Sequence, residues 1–229
     1  MDNTIYLLDF AETIATLSPN RFEQVAEFLQ ARNITRSLEQ IAHAAWETDE
    51  IFIYSSVEIK TEAAKRDFYV EYNKHLLNRL GIERRGLPAE MYEFIKSSSK
   101  HWRLREYVLK ELKVLKSNGK KVGILSNFDP VLEQILTQLG VKEYLEYVWI
   151  SALVGLEKPD QRFYDLFLSH FEIEPAKCLY LGDSLVRDYY PAAQAGMHAV
   201  LLKNGFTHYP GDIRTVSSVS EFCRLRLDD

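Results

Sequence analysis

Ile5-Tyr6-Leu7-Leu8-Asp9-Phe10-Ala11-Glu12-Thr13 opens on an unbroken apolar run and ends it with a carboxylate. A half-buried strand alternates apolar and polar residues, whereas a strand covered on both faces is apolar throughout. The run therefore predicts a central strand of a parallel sheet that carries Asp9 at its C-terminal end. Downstream, helix and strand signals alternate from about residue 102. Val108, Leu112 and Leu115 mark one helix face that stops at Gly119, and a strand is expected over 122–125. Asp129-Pro130 starts a helix through Leu132, Ile135, Leu136 and Leu139, ended by Gly140. Strands over 148–151, 179–181 and 199–202 then alternate with helices over 163–171 and 188–195. This order implies an α/β fold, a Rossmann-like doubly wound parallel sheet with helices on both faces.

Between the first strand and this alternating region the pattern is helical only. Ser18-Pro19 reads as a helix start before Phe22, Val25, Ala26 and Leu29. Ser37 with Gln40 forms a capping box before Ile41, Ala44 and Ala45. Thr61 caps a third segment, with Phe68, Tyr69, Tyr72, Leu76, Leu77 and Leu80 at helical spacing up to Gly81, and a short fourth helix follows Pro88. The division expected is a core domain of residues 1–15 and 100–229 with an inserted all-helical domain at 16–99. Such an insertion leaves the sheet beside the crevice where open parallel sheets bind ligands.

Bulk properties narrow the function. The 229 residues are 46% hydrophobic and 27% charged, enough to fold around a full core. A net charge of −5 gives no general attraction to nucleic acid or anionic membrane, so neither is expected as a partner. Two cysteines, Cys178 and Cys223, form no CxxC pattern, and Cys178 opens an apolar run in which a thiol serves as a small hydrophobe. The N-terminal residues lack the charged and apolar regions of a signal peptide, and no apolar stretch reaches the ~18 residues that span a bilayer. A cytoplasmic protein acting on a small molecule is expected. Oligomeric state leaves no mark.

Four segments place polar residues at strand ends: Asp9 to Thr13, Ser126-Asn127, Lys158-Pro159-Asp160, and Gly182-Asp183-Ser184 with Asp188. Parallel strands end on one edge, so all four converge there. Asp9 and Asp183 make a hard oxygen site suited to Mg²⁺. Ser126 and Asn127 offer donors to phosphoryl oxygens, Lys158 adds a positive charge, and Asp9 is a candidate attacking carboxylate.

In this order and spacing the segments resemble the four signature motifs of the haloacid dehalogenase-like (HAD) superfamily, from the first strand to about Leu202. Leu-Ser-Asn-Phe-Asp at 125–129 and Gly-Asp-Ser-Leu-Val-Arg-Asp at 182–188 carry the likeness most strongly. The resemblance implies a Mg²⁺-dependent hydrolase, with Asp9 as nucleophile and Ser126 and Lys158 on the phosphate. It implies metal ligands at Asp9, Asp183 and the Ala11 backbone carbonyl, with Asp188 and Ser184 in support, and it makes the helical insertion a C1-type cap. Phosphatases of this family normally place an aspartate two residues after the nucleophile, as acid and base. Here that residue is Ala11. Loss of a positioned acid/base costs ~10²- to 10⁴-fold in rate.

Three readings accommodate Ala11. Another side chain substitutes, with Glu12, His43, Glu47, Lys60 or Arg66 as candidates, and the protein remains a phosphatase. Alternatively it resembles the phosphonatase or dehalogenase branches, the former using a cap lysine such as Lys60, Lys65 or Lys74. In the third, it is a binding or regulatory protein that retains the pocket. Tyr54, Tyr69 and Tyr72 are candidate pocket residues of the cap, although aromatic residues at helical spacing also serve packing.

Overall fold

The computed structural model describes residues 3–52, 61–203 and 211–227. Eight strands occur among them: β1 (Ile5–Leu8), β2 (Ala15–Ser18), β3 (His101–Leu104), β4 (Lys121–Ser126), β5 (Tyr147–Ile150), β6 (Cys178–Gly182), β7 (His198–Leu202) and β8 (Thr215–Val216). Six of them form one sheet in the order β5-β4-β1-β6-β7-β8, and every pairing is parallel. Counting sheet strands alone, this is the 3-2-1-4-5-6 order of doubly wound nucleotide-binding folds. The order reverses at β1, so the crevice of the switch point opens at the C-terminal end of the strand that carries Asp9.

Alternation along each strand feeds two cores. Tyr6 and Leu8 of β1, Val122 and Ile124 of β4, and Leu179 and Leu181 of β6 pack on one face, with Val108, Leu112 and Leu115 from the helix Val108–Ser117. Ile5 and Leu7, Leu125, and Cys178 and Tyr180 turn to the other face, against Phe163, Tyr164 and Phe167 of the helix Gln161–His170. Both faces being covered explains the unbroken apolar runs.

The chain divides into two compact units, residues 1–16 with 102–229, and residues 17–101. The second unit is a bundle of four helices, Arg21–Gln30, Leu38–Phe52, Glu62–Arg79 and Leu87–Ser97, around Phe28, Leu29, Ile41, Leu76, Leu77 and Met91. Its first helix begins later than Ser18-Pro19 suggests. Asn20 is the cap, accepting from the Phe22 and Glu23 amides while its own N–H donates to Glu23. The Ser37/Gln40 box and the Thr61 cap form as expected.

Three features had no counterpart in the sequence reading. β2 and β3 pair as a two-stranded ribbon where the chain passes between the units. β8 adds an edge strand to the sheet. The helix expected over 188–195 is preceded by a π-helical turn, Leu185–Tyr189, before Tyr190–Gln194.

Candidate active site

The C-terminal ends of β1, β4 and β6 converge as parallel strands require. Asp9 directly follows β1, and its amide donates to the Leu181 carbonyl of β6 (2.8 Å), which continues the ladder one residue past the strand. Its side chain is buried. Lys158, 149 residues away, donates from Nζ to Asp9 Oδ1 at 2.7 Å and to Asp188 Oδ1 at 2.6 Å. The same ammonium lies 3.3 Å from the Leu125 carbonyl and 3.2 Å from the Tyr180 hydroxyl. Four acceptors around three N–H donors fix this head group, and Lys158 is 5% exposed.

Asp188 is fully engaged. Its Oδ1 accepts from Lys158 and from Tyr180 Oη (2.8 Å), and its Oδ2 accepts from the Ser184 amide (3.1 Å). The π-helical turn brings it back over β6, where both Asp188 and Tyr189 amides donate to the Ser184 carbonyl. π-turns are rare and recur at functional sites. Gly182 makes the approach possible, since a Cβ there would overlap Cβ and Cγ of Asp188. Asp183 completes a group of three carboxylates, Asp9, Asp183 and Asp188, whose candidate ligand oxygens lie within 4.8 Å of one another.

The electrostatics of the group are unbalanced, with three carboxylates set around one ammonium. Burial pushes the Asp9 carboxyl up, the Lys158 charge opposes that, and Asp188 adds to it. Asp183 keeps part of its surface open. Burial and the charges of Asp188 and Asp9 nevertheless push it up to about 8. Burial disfavours the Lys158 ammonium, but Asp188 and Asp9 outweigh it and hold the group above its ordinary value. Hard oxygen donors with surplus negative charge are what a small divalent cation neutralises, so the residues present fit Mg²⁺.

Ser126, Asn127 and Ser184 lie at or just past the ends of β4 and β6. Ser126 ends β4 and is buried. Asn127 is occupied at both ends of its amide: Nδ2 donates to the Lys158 carbonyl (2.8 Å) and Oδ1 accepts from the Lys158 amide (2.7 Å). It holds the lysine's loop in register. Ser184 Oγ caps the π-turn by accepting from the Arg187 amide. Asp160 caps the next helix and pairs with Arg162.

Ala11 lies partly buried on the extension of β1, bridged to Ala15. Beside it Glu12 adopts a left-handed backbone, φ 58°. Its carboxylate accepts from the Thr16 hydroxyl (3.1 and 3.3 Å) and from Arg105 (3.4 Å), and no hydrogen bond joins it to Asp9. The sequence reading gave no role to Thr13, whose buried hydroxyl donates to Asp9 Oδ2 (3.3 Å), and missed Tyr180. A lone phenol in an otherwise apolar central strand, two residues before Gly182, was the available signal for Tyr180.

Within the helical unit the expected candidates are engaged or open to solvent. His43 is 65% exposed on its side chain and faces Glu47, Arg66 pairs with Glu93, and Lys74 pairs with Glu71. Lys65 is exposed. Tyr72 donates to Asp49, which Arg21 also holds, and Tyr69 is partly exposed. Lys60 and Tyr54 lie outside the described residues. No helix of the described residues is long and apolar enough to cross a membrane.

Similar proteins agree with this architecture. "Haloacid dehalogenase-like hydrolase domain-containing protein 3" of Mus musculus is 38% identical over 113 residues, 49% of this chain and 45% of that protein. A glyceraldehyde 3-phosphate phosphatase of Pyrococcus furiosus is 28% identical over 150 residues, 64% of this chain and 61% of its own. The chain spans about half the length of the curated relatives it matches. Among solved structures, the putative HAD-hydrolase YfnB of Bacillus subtilis, bound to magnesium, superposes with a TM-score of 0.64 at 16% identity, covering 96% of this chain and 97% of that one. The family model of haloacid dehalogenase-like hydrolases matches residues 1–196, and the chain belongs to that family.

Proposed function

We propose that the protein is a Mg²⁺-dependent phosphatase of a small phosphorylated metabolite, with Asp9 as its nucleophile. The observation that carries this reading is the convergence of Asp9, Lys158, Asp183 and Asp188 at the switch point of the sheet. Asp9, Asp183 and the Ala11 carbonyl would hold the cation, supported by Asp188 and Ser184. Bound there, Mg²⁺ would neutralise charge on the phosphoryl oxygens.

The chain's own groups account for the rest. Asp9 attacks phosphorus through a carboxylate oxygen, forming an aspartyl-phosphate as the bond to the leaving group breaks, and water then releases phosphate. Lys158 would set its charge against a phosphoryl oxygen, and Ser126 would add a hydroxyl. Asn127 acts through Lys158, whose backbone it holds at both ends. The helical unit takes the role of a C1-type, substrate-selecting cap. Its insertion between β2 and β3, the ribbon that follows the nucleophile strand β1, supports that role. Two buried free cysteines suit a reducing compartment such as the cytoplasm.

The test is hydrolysis of an activated aryl phosphate by purified protein. Turnover should require Mg²⁺ and fall to the metal-free level in Asp9→Asn. Unchanged turnover in that variant refutes the nucleophile assignment.

A further inference from the structure

We propose that the site is selective for phosphoryl compounds whose leaving group departs without taking up a proton, acyl phosphates foremost, and that the phosphorylated enzyme accumulates during turnover. The proposal rests on the phosphatase reading above. It starts from the groups that surround Asp9 in the core unit. Ala11 has no proton to give. Glu12, the adjacent carboxylate, is held as an acceptor by Thr16 and Arg105. Thr13 donates to the nucleophile itself, and an aliphatic hydroxyl is too weak an acid to serve as a proton donor. Lys158 directs its protons at Asp9, Asp188, Leu125 and Tyr180. Asp188 accepts from Lys158, from the Tyr180 hydroxyl and from the Ser184 amide, and Asp183 would bind the cation as a carboxylate. Among the described residues of the core unit, no acid remains for the leaving oxygen.

The consequence follows from the bond changes. As Asp9 forms its bond to phosphorus, the phosphorus–oxygen bond to the leaving group breaks, and the electron pair stays on that oxygen. A carboxylate accepts the pair readily, its acid having a pKa of ~4. A phenolate, near ~10, does so less well. An alkoxide, close to the ~16 of water, needs a proton delivered as it leaves. In the second step water attacks phosphorus and the Asp9 carboxylate departs, again without a proton. The attacking water must lose one, however, and with no base positioned to take it the proton passes to solvent or to the phosphate formed. That step is slow, and the aspartyl-phosphate waits for it.

The experiment compares acetyl phosphate, phenyl phosphate and glycerol 1-phosphate with Mg²⁺, in the wild-type protein, Ala11→Asp and Ala11→Asn. For the wild type, kcat/KM should fall steeply along the series. Acid quenching during turnover of acetyl phosphate should trap protein heavier by one phosphoryl group. Ala11→Asp should raise kcat/KM for glycerol 1-phosphate by ~10²- to 10⁴-fold and abolish the trapped species. Ala11→Asn, with the shape of the aspartate and no acid, sets the reference for packing at this position: Ala11→Asp should exceed it in kcat/KM for glycerol 1-phosphate by the same factor, and equal rates in the two variants overturn the role given to proton transfer. Wild-type turnover of glycerol 1-phosphate as fast as of acetyl phosphate overturns the selectivity and points to an acid from the helical unit. Absence of both turnover and phosphorylated protein with acetyl phosphate overturns the proposal together with the phosphatase reading.

Discussion

Replacing Lys158 by Met removes the one ammonium set among three carboxylates, and the structure gives the size and the sign of the result. Lys158 makes buried contacts of 2.7 and 2.6 Å to Asp9 and Asp188. Breaking a buried pair by deleting one partner costs ~3 to 5 kcal/mol, because the other charge is left uncompensated. At ~2 to 4 °C per kcal/mol for a chain of this size, the metal-free variant should melt ~6 to 20 °C below the wild type. The loss should depend on pH. Asp9 and Asp183 already have folded carboxyls raised above their ordinary values, Asp183 to about 8. A group with a raised folded pKa contributes stability that is fully present below its unfolded pKa, near ~4, and is lost as pH rises through the folded pKa. Removing the ammonium raises both further. Between pH 5 and 9 in a chelator, the melting temperature of Lys158→Met should therefore fall more steeply than that of the wild type. Added Mg²⁺ should recover most of the difference at the alkaline end. Scanning calorimetry in the two buffers provides the measurement, and parallel wild-type and variant profiles would refute the idea that Lys158 compensates this carboxylate group.

Tyr180→Phe keeps the ring in the core but takes a donor from Asp188 and an acceptor from Lys158; loss of such supporting contacts costs ~10- to 100-fold in metal affinity or activity. Titration calorimetry with Mg²⁺ reads this directly, against Tyr6→Phe, which loses a tyrosine hydroxyl bonded to the Leu225 carbonyl; equal affinities in the two variants would sink the role given to Tyr180. Gly182→Ala drives a methyl into Asp188, an overpacking worth ~1 to 3 kcal/mol, and displaces a carboxylate of the candidate metal group. It should lose stability and Mg²⁺ binding together. Gly123→Ala, whose Cβ would meet Leu7 and Tyr147 at 2.9 Å, should lose stability alone, and intact Mg²⁺ affinity in Gly182→Ala would contradict the packing argument.

What could be read from the sequence, and what could not, divides along the range of the forces involved. Ile5 to Leu8 announced a central strand because covering both faces leaves no polar position, and that property is local. The ribbon of β2 and β3 was missed because its strands are short, with Ala15 to Ser18 and His101 to Leu104 only half-buried, and because strand pairing across more than 80 residues has no local signature. The first helix of the insertion was placed at Ser18-Pro19, yet Asn20 supplies the cap. Both readings use good starting residues, and only the reciprocal bonds of Asn20 with Glu23 decide between them.

The site shows the same division more sharply. That Asp9, Ser126 and Asp183 share one edge follows from strand direction, since parallel strands deliver their ends there, whereas Lys158 lies in a loop beyond β5 and the short helix Ser151–Val154, its backbone held by Asn127. How they are held does not follow. Asp188 reaches Lys158 only because a π-turn adds a residue to the helical register and because Gly182 vacates the space beneath it. Neither is visible as periodicity, and Tyr180 was hidden inside a run that reads as apolar. Asn127 and Gly182 stand within the signature stretches, but that one holds the Lys158 backbone and the other makes room for Asp188 is a matter of contacts that leave no pattern along the chain. Glu12 is the instructive case. Adjacency to the vacant position at Ala11 recommends it as a substitute acid, but its left-handed backbone carries the carboxylate to Thr16 and Arg105. The sequence neighbour of the vacant position is thus bonded away from the nucleophile, a result that adjacency along the chain could not show.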